Sequence, residues 1–393
     1  MAAKKTVGNA QLMQKMNRLQ VLDCIRNNAP VSRPAVAEAT GLSLSSITNI
    51  VNYLMEQRVV AETGVENMSR VGRKATLLRF NGRAYRLICV YLESEKITVC
   101  CTDLTGTIYD QDSVALPVFA EDESGSRQIL QCIRDAVMPM LNRNQDSNVL
   151  GIGIAVSGLV LEDSNYVLSI SLHWKAYNVR EELEQYFNKP VFIENISITR
   201  AVWQLSHEKG LHERNVIFLD LDNGVGAVQF INGKLNRSLI GEIGHTTVER
   251  KGDLCFCGNH GCLEAMCSPL RIARLYREAH PECPDATFAN VVEACQRKDP
   301  DAIRIIDECG EYLGIGLASV INIFHPEKII LNSGTYTGCN EFFSSAIHCM
   351  KQRAYSELTR KLTVEQVCID DSDSCRGIAV RLCDSIFESV FPL

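Results

Sequence analysis

The chain has 393 residues, 46% hydrophobic and 22% charged, with a net charge of −7 and 17 cysteines. At roughly 100–200 residues per domain it holds two or three globular domains, and wholesale disorder is excluded. No apolar run reaches the ~18–20 residues of a membrane span, and residues 2–11 lack a signal core, so a soluble cytoplasmic protein with no membrane partner is expected. An odd number of cysteines scattered along a long chain excludes a disulfide framework and leaves thiols or metal ligands.

The charge is unevenly divided. Residues 1–82 carry 11 Lys and Arg against 5 Asp and Glu, whereas the rest carries 29 against 42, net −13. A basic head on an acidic body implies that only the head meets a polyanion. Within that head, Leu12, Met16, Leu19, Leu22 and Ile25 recur at helical spacing over 11–28. Ala29-Pro30 stops this helix, and Ser32 stands as the N-cap of a second, with Pro34 in its first turn. Val36 and Ala39 are expected to face inward, and Gly41 ends the segment. Ser43 caps a third helix, whose apolar stripe is Ile47, Val51 and Leu54. Strand-like runs at 59–63 and 76–80 flank a loop with Arg70, Gly72, Arg73 and Lys74. Three helices and a hairpin predict a winged helix-turn-helix over residues 1–82.

The chemistry of the third helix fits base reading. Its polar face is Ser45, Ser46, Thr48, Asn49 and Asn52, with no acid before Glu56. Short donors and acceptors suit base edges, and carboxylates would face phosphates. Ser43, Ser45, Ser46, Thr48, Asn49 and Asn52 are the candidate DNA contacts, with Arg73 and Lys74 on the wing for backbone or minor groove. The alternative is a winged helix used for protein contacts. One recognition helix covers few base pairs, so a homodimer on a duplex operator is expected, and a tetramer fits as well.

From residue 87 the texture becomes α/β. Strands are expected at 87–102 and 107–115, a helix at 127–141, and a buried strand at 149–156 ending in Ser157-Gly158. A helix at 179–186, a strand at 191–193 and a helix at 198–205 follow. A second set has strands at 215–221 and 229–231, helices at 270–280, 288–298 and 301–324, a strand at 328–331 and a helix at 374–387. Strands followed by helices, twice, predict two similar α/β lobes with a cleft between them.

The most specific pattern is Gly241-Glu242-Ile243-Gly244-His245, followed by Gly252, Cys255, Cys257, Gly258, Gly261, Cys262, Leu263 and Glu264. Cys₃His suits one tetrahedral Zn²⁺ per chain, held by His245, Cys255, Cys257 and Cys262, and four protein ligands make the site structural. The alternative is free core thiols beside a satisfied histidine. Cys267 lies just beyond and ranks below Cys262 as a ligand.

This block resembles the signature of the ROK family (repressors, open reading frames, kinases). A winged helix ahead of it is similar to the family's repressor branch, the xylose-repressor and N-acetylglucosamine-repressor type. Ser157-Gly158-Leu159-Val160 matches the family's Pro-Gly-Leu-Val turn with Ser for Pro, and residues 324–331 match its second-lobe strand. The resemblance implies a winged helix-turn-helix followed, over 83–393, by a two-lobed actin/hexokinase-like domain with a hinge near 195–210. It also implies hydroxyl contacts to a sugar or sugar-phosphate effector from Gly158, Asn195, Glu242, His245 and Glu264. For Glu242 and Glu264 the alternative is interlobe salt bridging. His173 and Trp174 could form a sugar platform or pack in the core.

Kinases of this family use a Gly-Gly-Thr phosphate turn, where this chain has Tyr91-Leu92-Glu93-Ser94-Glu95. Their second glycine turn survives in part as Asp222-Asn223-Gly224-Val225-Gly226. Their catalytic Asp, the base for the sugar hydroxyl, falls at Ile196, after Glu194-Asn195, or at Asn195 with a one-residue shift, and neither register supplies a carboxylate. The resemblance therefore implies a DNA-binding repressor of carbohydrate genes with no enzyme activity. The alternatives are a sugar kinase with a regulatory head, and a repressor controlled by a protein partner.

Overall fold

Helix α1 (Ala3–Asn28) buries Val21, Leu22 and Ile25, while Leu12 and Met16 of the same predicted stripe are exposed. A short strand β1 (Val31–Ser32) leads into α2 (Arg33–Thr40), which has Pro34 in its first turn and Gly41 in the left-handed region at its end. Ser32 holds the N-cap position without a side-chain cap bond; it is buried in β1 instead. Ala39, expected inside, is exposed. Helix α3 (Leu44–Glu56) buries Ile47, Ile50, Val51 and Leu54. Strands β2 (Val60–Val65) and β3 (Thr76–Phe80) pair antiparallel, with β1 on the other edge of β3. This is a winged helix-turn-helix. The computed structural model describes residues 3–65, 76–120, 122–161, 166–169, 171–207, 215–222 and 224–389. The wing loop with Arg73 and Lys74 lies outside them.

Next come β4 (Arg86–Leu92), β5 (Lys96–Asp103), β6 (Ile108–Ala115), α4 (Glu123–Arg143) and β7 (Val149–Val156). A small sheet of β8 (Leu159–Leu161), β9 (Tyr166–Ser169) and β10 (Trp174–Tyr177) follows, then α5 (Val179–Phe187) and β11 (Val191–Asn195). The main sheet runs β11-β7-β4-β5-β6, a three-strand meander extended by two parallel strands. The run 87–102, expected as one strand, is two: the chain reverses at 93–95, where the Glu93 N–H bonds the Lys96 carbonyl at 3.1 Å. The strands on both sides are apolar, and the polar stretch Glu93-Ser94-Glu95-Lys96 where the chain reverses holds neither Gly nor Pro. Trp174 is buried among the core residues of this sheet, which favours the packing role over a sugar platform.

The second half repeats the plan. Helix α6 (Ile196–His207) precedes β12 (Asn215–Leu221), β13 (Val225–Ile231) and β14 (Lys234–Gly241). Helices α7 (Leu263–Cys267), α8 (Pro269–Ala279), α9 (Phe288–Gln296) and α10 (Pro300–Phe324) follow. Then come β15 (Lys328–Asn332), α11 (Asn340–Arg353), α12 (Ser356–Thr359), β16 (Thr363–Val367) and α13 (Asp371–Ser389). The sheet order β14-β13-β12-β15-β16 is again a meander plus two parallel strands. By contacts the chain forms two units: 1–195 with 375–393, and 196–374. It passes between them after Asn195 and again inside α13, after Ser374. Among the described residues no helix is long and apolar enough to cross a membrane.

The core of the second unit depends on a close pairing of α10 and α11. A Cβ on Gly314 would lie 2.6 Å from the Ala346 carbonyl oxygen and 2.6 Å from the Cys349 Cβ. Gly314→Ala must therefore push the two helices apart, at about 1–3 kcal/mol. Thermal denaturation should show a melting point lower by roughly 2–12 °C; no shift would mean that the pair yields freely.

Candidate functional site

Two groups of side chains carry chemistry. The first is the cysteine loop after β14. A single helical turn at residues 243–245 follows Glu242 and presents His245. The chain then folds back on itself through short backbone bonds. Val248 N–H meets the Gly261 carbonyl at 2.8 Å, Cys255 N–H the Asn259 carbonyl at 2.8 Å, and Leu263 N–H the Thr246 carbonyl at 2.8 Å. Gly261 has φ +68, and a Cβ there would overlap the Glu249 carbonyl oxygen, so only glycine closes this turn. Outside the loop, Arg271 of α8 donates to Asp253 at 2.7 Å and to Glu308 of α10 at 3.0 Å.

The folded loop gathers His245, Cys255, Cys257 and Cys262, with their ligand atoms all within 4.8 Å of one another. His245 Nδ1 lies 3.6 Å from Cys255 Sγ, and Cys257 Sγ lies 3.7 Å from Cys262 Sγ. Bonds of 2.3 Å to sulfur and 2.0–2.1 Å to nitrogen give tetrahedron edges of about 3.5–3.8 Å. The four groups thus fit one thiophilic metal ion, as the spacing predicted. Cys267 is fully buried beside Cys309, outside this group. Burial, with Cys257 and Cys255 adding to it, pushes the Cys262 thiol up to about 12. Burial also raises Cys255, while the Asn259 backbone N–H lowers the exposed Cys257.

Two carboxylates flank the loop. Glu242 is exposed, and its Oε2 stands 3.9 Å from His245 Nε2, the imidazole nitrogen not facing the sulfurs. Glu264 on α7 accepts the Val225 N–H at 3.0 Å with Oε2, and a Cβ on Gly224 would lie 2.8 Å from that oxygen. In the other unit, Gly158 has φ +114, and its carbonyl accepts Asn195 Nδ2 at 2.7 Å. That bond fixes which way the Asn195 amide faces. The candidate effector residues therefore fall in two sets: Gly158 with Asn195, and Glu242 and His245 with Glu264.

The second group is on α3. Ser45, Asn49 and Asn52 are exposed at i, i+4 and i+7, a single stripe opposite the buried face. The Ser43 hydroxyl caps the helix by accepting Ser46 N–H at 3.2 Å, and it contacts the Ser45 and Ser46 hydroxyls at 3.0 and 2.8 Å. Thr48 turns its hydroxyl back to the Leu44 carbonyl at 2.8 Å. Leu44, at the first helical position, is 53% exposed beside these polar groups. Its place directly after the cap marks it in the sequence.

At the positions where kinase chemistry would reside, Ile196 opens α6 and is buried. Asp222 is bound on both oxygens: Arg200 Nη2 donates to Oδ2 at 2.8 Å and Thr335 Oγ1 to Oδ1 at 2.5 Å. Arg200 is itself buried, with Nη1 3.1 Å from Asp220 Oδ1.

A winged helix-turn-helix ahead of two five-stranded sheets of the same strand plan defines the class: a helix-turn-helix head on an actin/hexokinase-like body. Residues 87–383 match the family model described as ROK family, and the chain belongs to that family. It is 28% identical over 358 residues to the "Xylose repressor" of Bacillus subtilis (strain 168), covering 90% of this chain and 91% of that protein. It is 26% identical over 392 residues to "DNA-binding transcriptional dual regulator NagC" of Escherichia coli (strain K12), covering 95% and 94%. A solved ROK family transcriptional regulator, described as a homologue of the E. coli MLC protein, superposes with a TM-score of 0.81 at 23% identity, covering 96% and 97%. A ROK family glucokinase from Streptomyces griseus, solved with glucose and AMPPNP, superposes with a TM-score of 0.64 at 24% identity, covering 76% of this chain and 99% of that one.

Metal uptake by raised thiols must release protons, so retention falls as pH falls. Elemental analysis at neutral pH should find near one divalent ion per chain, lost on acidification and in Cys257→Ser together with thermal stability. Full metal content in a variant with all three cysteines replaced by Ser would contradict the ligand set.

Proposed function

We infer that this chain is a sugar-responsive transcriptional repressor: its winged helix binds a duplex operator, and a small sugar or sugar phosphate weakens that binding. One observation carries this reading. The likeness to the xylose repressor and to NagC spans the head as well as the ROK region. The exposed stripe of Ser45, Asn49 and Asn52 supplies short donors and acceptors for base edges, and Leu44 supplies an apolar group for a thymine methyl. Ser43, Ser46 and Thr48 shape the helix start, and Arg73 and Lys74 of the wing supply cations for the backbone. A homodimer would place two such helices on successive half-sites.

On this reading the metal is zinc, one per chain, held by His245, Cys255, Cys257 and Cys262. With four protein ligands it has no open position and serves to fix the loop. Gly158, Asn195, Glu242, His245 and Glu264 are the proposed effector groups, carboxylates and amide suiting sugar hydroxyls. The chain is proposed to be catalytically inactive. Ile196 offers no proton acceptor where a base is needed, Glu93 and Glu95 crowd the first phosphate turn, and Asp222 of the second is paired with Arg200. The likeness to the glucokinase is one of fold.

The test is fluorescence anisotropy on the DNA directly upstream of the chain's own gene. Tight binding should weaken in the presence of one of D-xylose, D-glucose, N-acetyl-D-glucosamine or their phosphates. Asn49→Ala should change sequence preference by about 1–3 kcal/mol at one base pair. Glu242→Ala, exposed and free of structural bonds to the core, should bind DNA normally and lose the sugar response. Absence of DNA binding at low salt would overturn the reading. A coupled ADP-release assay on the same sugars should stay at background; sugar-dependent ADP release that Glu194→Gln abolishes would establish a kinase instead.

A further inference from the structure

Helix α13 is the second place where the chain passes between the two units, and it is unbroken there. Its first residues belong to the second unit, where the Ser374 hydroxyl accepts Arg200 Nε at 3.2 Å. From Cys375 onward it belongs to the first unit, and Ile378 and Leu382 pack onto β7 where Gly151 and Gly153 leave room: a Cβ on Gly153 would lie 2.8 Å from Ile378. Beyond that contact, α13 carries a row of alternating charge. Arg381 Nε donates to Glu194 Oε2 at 3.2 Å, and Glu194 is 2% exposed at the end of β11. Arg381 Nη1 stands 3.9 Å from Asp384 Oδ2, and Asp384 Oδ1 accepts Arg26 Nη1 of α1 at 2.7 Å. The Arg26 guanidinium lies over the Phe80 ring of β3, at 5.5 Å, and Phe80 meets Phe387 of α13 edge-on at 6.5 Å.

The near end of this row is an effector residue. Glu194 Oε1 accepts the Asn195 N–H at 3.2 Å, and Asn195 Nδ2 is bonded to the Gly158 carbonyl. The far end is the DNA-binding head. We propose that α13 carries the effector signal, through the row Asn195–Glu194–Arg381–Asp384–Arg26, from the sugar-binding turn to helix α1 and the winged helix it supports. The proposal rests on the repressor reading. A buried carboxylate cannot shift without its cation following, because an unpaired charge in that place is strongly disfavoured. A sugar that moves Asn195 therefore moves Glu194 and turns Arg381, and the Arg26–Asp384 pair passes the change to α1. The coupling is reciprocal: operator binding must change sugar affinity by the same factor.

The test is a double-mutant cycle in the full-length chain, read as operator affinity by anisotropy. Glu194→Gln disturbs the near end and should change operator affinity by about fivefold or more. In an Asp384→Asn background the same substitution should change it less than twofold. Arg26→Lys, which keeps the charge, should restore the response that Arg26→Gln removes. A sugar among those named that weakens operator binding of the parent should leave the Asp384→Asn affinity within twofold, while raising the melting temperature of both proteins equally. Equal effects of Glu194→Gln in both backgrounds, with folded variants and intact operator binding, would overturn the proposal and leave the repressor reading standing. Loss of operator binding in the parent would remove both.

Discussion

Three thiols and an imidazole are held within 4.8 Å of one another; as thiolates the three sulfurs would repel, and a divalent cation taken up by all four groups would resolve that conflict. Several polar contacts of the second unit meet at the loop that holds them. The turn that presents His245 also presents Glu242. The backbone bond from Leu263 back to Thr246 sets the start of α7, and α7 carries Glu264. Glu264 in turn bonds the first residue of β13, so loop, helix and sheet share one small set of contacts. Arg271 ties the outside of the loop to α8 and α10. The cysteine loop is thus an organiser of polar side chains.

The two units show how one plan accepts different chemistry. Both build a meander and extend it with two parallel strands. In the first, the β4–β5 turn ends in Glu93, Ser94 and Glu95. In the second, the corresponding turn holds Asp222, and a buried arginine satisfies it. Both turns now make protein contacts or face water with negative charge. The strands that carry them are largely buried and apolar. The sheet cores and the turns answer to different forces: burial for the cores, and hydrogen-bond geometry for the turns.

The periodicity of α3, the cap at Ser43 and the Cys₃His spacing were legible because each is set within about twenty residues. Helical spacing placed Leu12 and Met16 on the stripe of Leu22 and Ile25, but it could not show that the covering partner stops short of them. Ser32 was read as a cap from its type, whereas pairing of β1 to β3 draws it into a sheet. The 87–102 run concealed a reversal because Glu93-Ser94-Glu95 holds only Ser94 among the usual turn residues, with no Gly, Pro, Asn or Asp. The row on α13 was invisible for a simpler reason. Its bonds join residues 187 and 358 positions apart, and single charged residues at such separations leave no pattern.

The exposed stripe of α3 consists of short side chains, with neither arginine nor lysine among them. Serine and asparagine reach little beyond the helix backbone, so in the proposed complex the helix must lie deep in the groove. Depth makes the contact sensitive to groove width, which varies with base sequence and its stiffness. Such a head would discriminate among operators partly at base pairs it never touches. Its selectivity would then belong as much to the mechanics of the DNA as to the letters it reads.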